Sequence, residues 1–134
     1  MCPPYDIAAS NRPAPPTVVV IDDDTALLGA LKFDLELEGF RVETHTAGNQ
    51  LRPERLPTDN GCLVIDYRLP GLNGLELLRR LRDRGVSLPA IIITSHPTKS
   101  LLARTSGLGG SIIEKPLLGD VLLSGIRSAL APTT

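Results

Sequence analysis

Tryptophan is absent from the 134-residue chain, and Tyr5, Phe33, Phe40 and Tyr67 are its only aromatic residues. So few rings cannot build a platform for stacking nucleic-acid bases. An excess of charge is also missing: 14 Lys and Arg against 15 Asp and Glu leave a net charge of −1, with no overall pull toward nucleic acid or anionic lipid. No apolar run approaches the roughly 18 residues of a membrane span. The N-terminus lacks the basic-then-apolar pattern of a secretory signal, so the expected location is cytoplasmic. Cysteine is scarce, with Cys2 and Cys62 alone, and His45 and His96 are the only histidines. That set makes neither a disulfide framework nor a well-supplied zinc centre. Cys62 lies among apolar neighbours and reads as a small core residue.

Proline, by contrast, is dense at the start: Pro3, Pro4, Pro13, Pro15 and Pro16 exclude a helix or central strand. Residues 1–16 are therefore expected to be a disordered tail or linker, and 17–131 one domain. Within that domain short apolar runs alternate with amphipathic stretches. Thr17 to Ile21, Cys62 to Asp66, Ala90 to Thr94 and Ser111 to Glu114 are too short for helices and read as buried strands. Arg41 to Thr46 alternates at period two and reads as a further strand. Leu27, Leu31 and Leu35 recur at helical spacing after a cap at Asp24 or Thr25, with Gly39 as the stop. A short second helix, interrupted by Pro53, is expected next. Asn73 can cap a third helix running through Arg84, with Leu75, Leu78 and Leu81 inward and Arg79, Arg80, Arg82 and Asp83 mostly outward. The arginines read as a solvated face, because Glu76 and Asp83 lie among them. Lys99 to Ser106 is expected to be a short fourth helix, and Gly119 to Leu130 the last. Strands alternating with helices predict a doubly wound three-layer sandwich around a parallel sheet.

In such sheets ligands bind beyond the carboxyl ends of the strands, so chemistry is sought there. The first strand ends at Asp22-Asp23-Asp24, the third at Asp66 and the fourth at Thr94, while Lys115 follows the fifth. One acid after a strand is an ordinary helix cap; acids, a hydroxyl and an amine on one rim are a functional set. Carboxylates of Asp22, Asp23 and Asp66 within about 5 Å of each other would repel by roughly 3 kcal/mol per pair at an effective dielectric near 20. Proton uptake or a hard divalent cation would offset that repulsion, and an oxygen-only, partly hydrated site suits Mg2+. A carboxylate beside such a cation, an ammonium and a hydroxyl can accept a phosphoryl group.

IDDD at 21–24, VIDYRLPGLNGLELL at 64–78, IIITS at 91–95 and IEKP at 113–116 resemble the receiver domain of two-component response regulators, most closely receivers of the nitrogen-fixation transcription regulator type. The resemblance covers about residues 17–130. It implies a flavodoxin-like (βα)5 sandwich with a five-stranded parallel sheet. It further implies that Asp66 accepts the phosphoryl group from a histidine kinase, a phosphotransfer protein or a small acyl phosphate. Asp22, Asp23, Asp66 and the backbone carbonyl of Arg68 would hold Mg2+, Asp23 directly and Asp22 through water. Thr94 would hydrogen-bond the phosphoryl oxygen and Lys115 would pair with it. Lys115-Pro116 matches the family's cis peptide, and Pro70 and Gly74 fit the loop and helix start after the acceptor strand. Such a domain is not a conventional enzyme; it catalyses its own phosphorylation and dephosphorylation and signals through protein contacts.

Two features depart from that pattern. The position three residues before the lysine, where the family carries a Tyr or Phe that changes rotamer, is Ile112. The stretch from Thr94 to Lys115 is one residue short and rich in glycine. Both predict an atypical output surface. His96 and Ser95, just past Thr94, are candidates for modulating access to the acyl phosphate, as is Arg68, and each also reads as an ordinary loop residue. Two other classes compete. A haloacid-dehalogenase-like phosphohydrolase would use Asp22 as nucleophile, but no acidic pair follows Lys115 and Asp66 would have no role. A non-phosphorylated pseudo-receiver would use the fold as an interaction module. No DNA-binding unit follows Leu130, so no direct nucleic-acid contact and no membrane contact is expected. The chain reads as a stand-alone receiver or a fragment of a longer regulator or hybrid kinase, with an unnamed protein target and with homodimerisation left open.

Overall fold

The computed structural model describes residues 14–131. Most of the expected N-terminal tail, residues 1–13, lies outside the described residues. The end of that segment is tied down. Asn60 Nδ2 donates to the Ala14 carbonyl at 3.0 Å, and the Arg41 amide donates to the Pro16 carbonyl at 2.9 Å.

Five strands form one parallel sheet: β1 (Thr17–Ile21), β2 (Arg41–His45), β3 (Gly61–Asp66), β4 (Ala90–Thr94) and β5 (Gly110–Glu114), in the order β2-β1-β3-β4-β5. That order is the flavodoxin-like one, whose switch point lies between β1 and β3. The β-branched runs explain the three central strands. Alternate side chains of a strand face opposite sides, so a strand buried on both faces must be apolar throughout. Val18, Val20, Cys62, Val64, Ile91 and Ile93 fill one core, and Val19, Ile21, Leu63, Ile65, Ala90 and Ile92 fill the other. Each fully buried Val, Leu or Ile contributes about 1.5–3 kcal/mol. The edge strands β2 and β5 are only partly buried.

Four helices cover the sheet: α1 (Thr25–Leu37), α2 (Gly74–Asp83), α3 (Lys99–Gly107) and α4 (Val121–Leu130). Leu28 of α1 and Leu122 and Ile126 of α4 pack on the first core, and Leu77, Leu78 and Leu81 of α2 on the second. Three starts are capped by side chains. Asp24 accepts from the Leu27 amide, Asn73 from Glu76 and Thr98 from Leu101, each cap contributing about 1 kcal/mol.

The second expected helix does not form. The crossover from β2 to β3 contains two single 3-10 turns, Gly48–Gln50 and Pro53–Arg55. Proline opens the second turn and cannot donate to a preceding one, so the segment cannot run on as a helix. Leu51 and Leu56, buried against the second core, hold it in place instead. Among the described residues the helices are therefore four, not five. The last begins at Val121 rather than Gly119, whose φ of +60° is left-handed. Arg82 is a further correction: it does not point into solvent but donates to three backbone carbonyls.

Gly74, the first residue of α2, fixes how that helix meets β3. A Cβ there would lie 2.5 Å from the Asp66 carbonyl oxygen and 3.0 Å from Tyr67 Cα, while its amide donates to the Tyr67 carbonyl at 2.7 Å. Gly74→Ala is expected to lower the unfolding free energy by about 1–3 kcal/mol in urea titrations. Gly29→Ala, in the exposed middle of α1 with nothing within 4 Å of the added carbon, is expected to raise it by about 0.5–1 kcal/mol.

Candidate functional site

Parallel register brings the chemistry-bearing residues to one rim. Ile21 is level with Ile65, so Asp22 and Asp66 emerge side by side from β1 and β3. Thr94 ends β4 level with Glu114, and Lys115 follows directly. Two bonds extend the sheet past its last residues: the Tyr67 amide donates to the Ile93 carbonyl at 2.8 Å, and the Lys115 amide to the Thr94 carbonyl at 2.9 Å. They hold the ends of β3 and β5 against β4, which lies between them.

The result is a cleft of about 320 Å3 lined by Asp22, Asp23, Asp24, Asp66, Arg68, Thr94, Ser95 and Lys115. One carboxylate oxygen each from Asp22, Asp23 and Asp66 lies within 4.8 Å of the others. Asp22 and Asp66 are buried, at 2% and 5% exposure, while Asp23 is exposed. Lys115 Nζ sits 3.2 Å from Asp66 Oδ1 and 3.9 Å from Asp22 Oδ2. Asp22 Oδ1 also accepts from the Asp24 amide at 2.9 Å. Three carboxylates thus face one ammonium. Burial raises the Asp22 carboxyl above the ordinary aspartate range, and the charges of Asp66 and Asp23 add to that rise, against the Asp24 amide and Lys115. Oxygen donors of this density and hardness fit a small divalent cation.

Thr94, 6% exposed, accepts from the His96 amide at 3.2 Å through its hydroxyl oxygen. The His96 side chain is exposed and does not line the cleft. Ser95 and Arg68 do line it. Ile112 is level with Ile92 on β4 and packs, partly buried, against the second core on which α2 lies, outside the cleft lining. The Lys115–Pro116 bond is cis, and Pro116 stays outside the cleft lining. Asp24, a cap candidate in the sequence, also lines the cleft. Its Oδ1 is committed to the Leu27 amide at 3.1 Å, so it caps α1 while lining the opening.

Residues 18–127 match the Response regulator receiver domain family. The chain belongs to that family. Among curated relatives, the receiver is 38% identical over 114 residues to the transcriptional regulatory protein FixJ of Azorhizobium caulinodans, covering 84% of this chain and 54% of that protein. To the C4-dicarboxylate transport transcriptional regulatory protein DctD of Pseudomonas aeruginosa it is 39% identical, covering 84% of this chain and 25% of that one. The chain thus spans about half the length of the FixJ relatives it matches. A crystal structure of FixJ-N superposes with a TM-score of 0.73 at 33% identity, covering 86% of this chain and 93% of that one. The chemotaxis protein CheY4 of Vibrio cholerae superposes at 0.77 with 19% identity, over 87% of this chain and 100% of that one, a likeness of fold alone.

The receiver's charge imbalance has a measurable consequence. A carboxyl whose pKa is raised by folding costs stability when ionised; the cost is present at neutral pH and is relieved as pH falls through the raised pKa. Asp22→Asn keeps an acceptor for the Asp24 amide but removes the charge. Without divalent cations it is expected to raise the urea midpoint at neutral pH. The advantage should shrink on acidification toward pH ~4, and millimolar Mg2+ should stabilise the wild type more than the variant.

Proposed function

We propose that this receiver accepts a phosphoryl group on Asp66 in a two-component phosphorelay, and that residues 17–131 form the unit that does so. The observation that carries the reading is the Lys115 ammonium 3.2 Å from Asp66 Oδ1, in a cleft that also gathers oxygens of Asp22 and Asp23 within 4.8 Å. Asp66 sits at the end of a strand buried along its whole length, so the acceptor carboxylate is held on rigid backbone.

Asp66 attacks the phosphorus of a phosphohistidine or a small acyl phosphate through a carboxylate oxygen. A P–O bond forms to Asp66, and the bond from phosphorus to the donor breaks with its electron pair leaving on the donor nitrogen or oxygen. Lys115 pairs with the phosphoryl oxygens once its partner carboxylate is esterified. The Thr94 hydroxyl, held at the cleft by the His96 amide, donates to another of those oxygens. Asp22, Asp23, Asp66 and the Arg68 carbonyl would hold Mg2+, which when bound supplies positive charge against the phosphoryl oxygens. The small side chain of Ser95 leaves room for the donor, and Arg68 and His96 flank its approach.

The donor is a histidine kinase or phosphotransfer protein, and the output is contact with a further protein rather than direct binding of nucleic acid by this domain. Ile112 can offer neither a ring nor a hydroxyl, so the response of the surface around β5 departs from an aromatic rotamer switch. Incubation with labelled acetyl phosphate and Mg2+ tests the reading. Label is expected on the wild type and on Asp22→Asn at a reduced rate, and at background on Asp66→Asn. Label lost from Asp22→Asn but kept on Asp66→Asn would favour the phosphohydrolase chemistry, and none on the wild type an inert interaction module.

A further inference from the structure

Arg82 stands apart from the other arginines of α2. Arg79 is exposed and paired with Glu76 and Asp83, and Arg80 lies 3.5 Å from Glu76. Arg82 has no carboxylate within 4.0 Å among the described residues and is partly buried. Its Nε donates to the Leu108 carbonyl at 2.7 Å, Nη1 to Val86 at 2.9 Å and Nη2 to Gly109 at 3.4 Å. Leu108 and Gly109 are the two residues between α3 and β5. The last carbonyls of a helix lack partners within it and form the negative end of its dipole. A guanidinium on α2 therefore caps α3 from outside.

The other end of α2 rests on the acceptor strand. Gly74 donates to the Tyr67 carbonyl and approaches the Asp66 carbonyl closely enough to exclude a Cβ. A helix of this length spans about 15 Å. It is a rod with one end on the backbone of Asp66 and Tyr67 and the other, through Arg82, on the α3–β5 junction.

That junction holds opposing terms. Thr105, in the last turns of α3, is fully buried and its hydroxyl has no hydrogen-bond partner among the described residues. An orphaned buried hydroxyl disfavours the arrangement it occupies, whereas the two Arg82 bonds to Leu108 and Gly109 favour it. A segment balanced in this way can adopt a second arrangement when one term changes.

We propose that Arg82 is a positioning residue through which α2 carries the state of Asp66 to the α3–β5 junction, and that the turn from Thr105 to Gly109 is the element that rearranges. This rests on Asp66 being the phosphoacceptor. The experiment is amide NMR of the full 134-residue chain with Mg2+, before and after beryllofluoride, on wild type, Arg82→Met and Arg82→Lys. Far-UV circular dichroism and urea midpoints establish that each variant folds, with Arg82→Lys the milder change. In the wild type, shifts are expected at residues 66–68 and 94–96 and also at 105–110. Arg82→Met is expected to keep the first two sets and reduce the third to less than about a quarter, with partial recovery in Arg82→Lys. The third set surviving intact in Arg82→Met, or missing from a wild type that responds at 66–68, overturns the inference while leaving the phosphoacceptor reading standing. No response at residues 66–68 in the wild type would instead overturn the phosphoacceptor reading itself. Arg82→Met failing to fold transfers the same comparison to Arg82→Lys, where an undiminished response at 105–110 counts against the proposal.

Discussion

Three carboxylates around one ammonium is the constraint on which the rest of this receiver depends. At the observed spacing of under 4.8 Å, each carboxylate pair repels by roughly 3 kcal/mol at an effective dielectric near 20. Lys115, at 3.2 Å from Asp66 and 3.9 Å from Asp22, offsets part of this. The remainder is borne by the two cores on either side of the sheet, because β1 and β3 cannot draw apart without exposing side chains that are wholly buried. Burial of Asp22 and Asp66 limits how far water can screen the charges, and the negative excess that remains is what a small divalent cation would offset. The strain and the chemistry have the same origin.

Much of this was legible in the sequence because the central strands obey a rule with little slack. A parallel strand covered on both faces must be apolar at every position, and TVVVI, CLVID and AIIIT satisfy it, so a polar residue at the end of such a run marks where the sheet stops and the rim begins. Asp22, Asp66 and Thr94 are those residues. Lys115 was legible from its place directly after the short run SIIE, although β5 is an edge strand and only partly buried. The crossover from β2 to β3 was less so, since Leu51 and Leu56 have no helical spacing and are placed by the core they seal rather than by local preference. Pro53 marked the interruption, but a proline is equally at home at the first position of a helix and of a 3-10 turn.

Arg82 shows the limit more sharply. In the pattern of α2 it occupies a position beside Arg79, Arg80 and Asp83, and charge alone assigns all four to solvent. What distinguishes it is the end of α3, 26 residues further on, whose carbonyls present an acceptor set that no local window contains. Asp24 is a milder case. Its capping role could be read from its place before α1, but its position on the cleft follows only when β1 and β3 are side by side.

The separation of Ile112 from the cleft bears on how acceptance and output are linked. Ile112 packs, partly buried, against the second core on which α2 lies, whereas Lys115 follows the strand and lines the cleft, so the two are joined by one strand but belong to different environments. An isoleucine packed there has no polar group to exchange between water and interior, and a rotamer change would exchange one apolar contact for another. Under the proposed phosphorylation, a movement of Thr94 would meet neither a ring nor a hydroxyl at Ile112. Besides the Lys115–Asp66 ion pair, a backbone connection leaves the acceptor strand through the contact of Gly74 with Asp66 and Tyr67. A signal leaving Asp66 by that route travels along α2 and reaches the region of β5 at its start, by way of Arg82, rather than at its end.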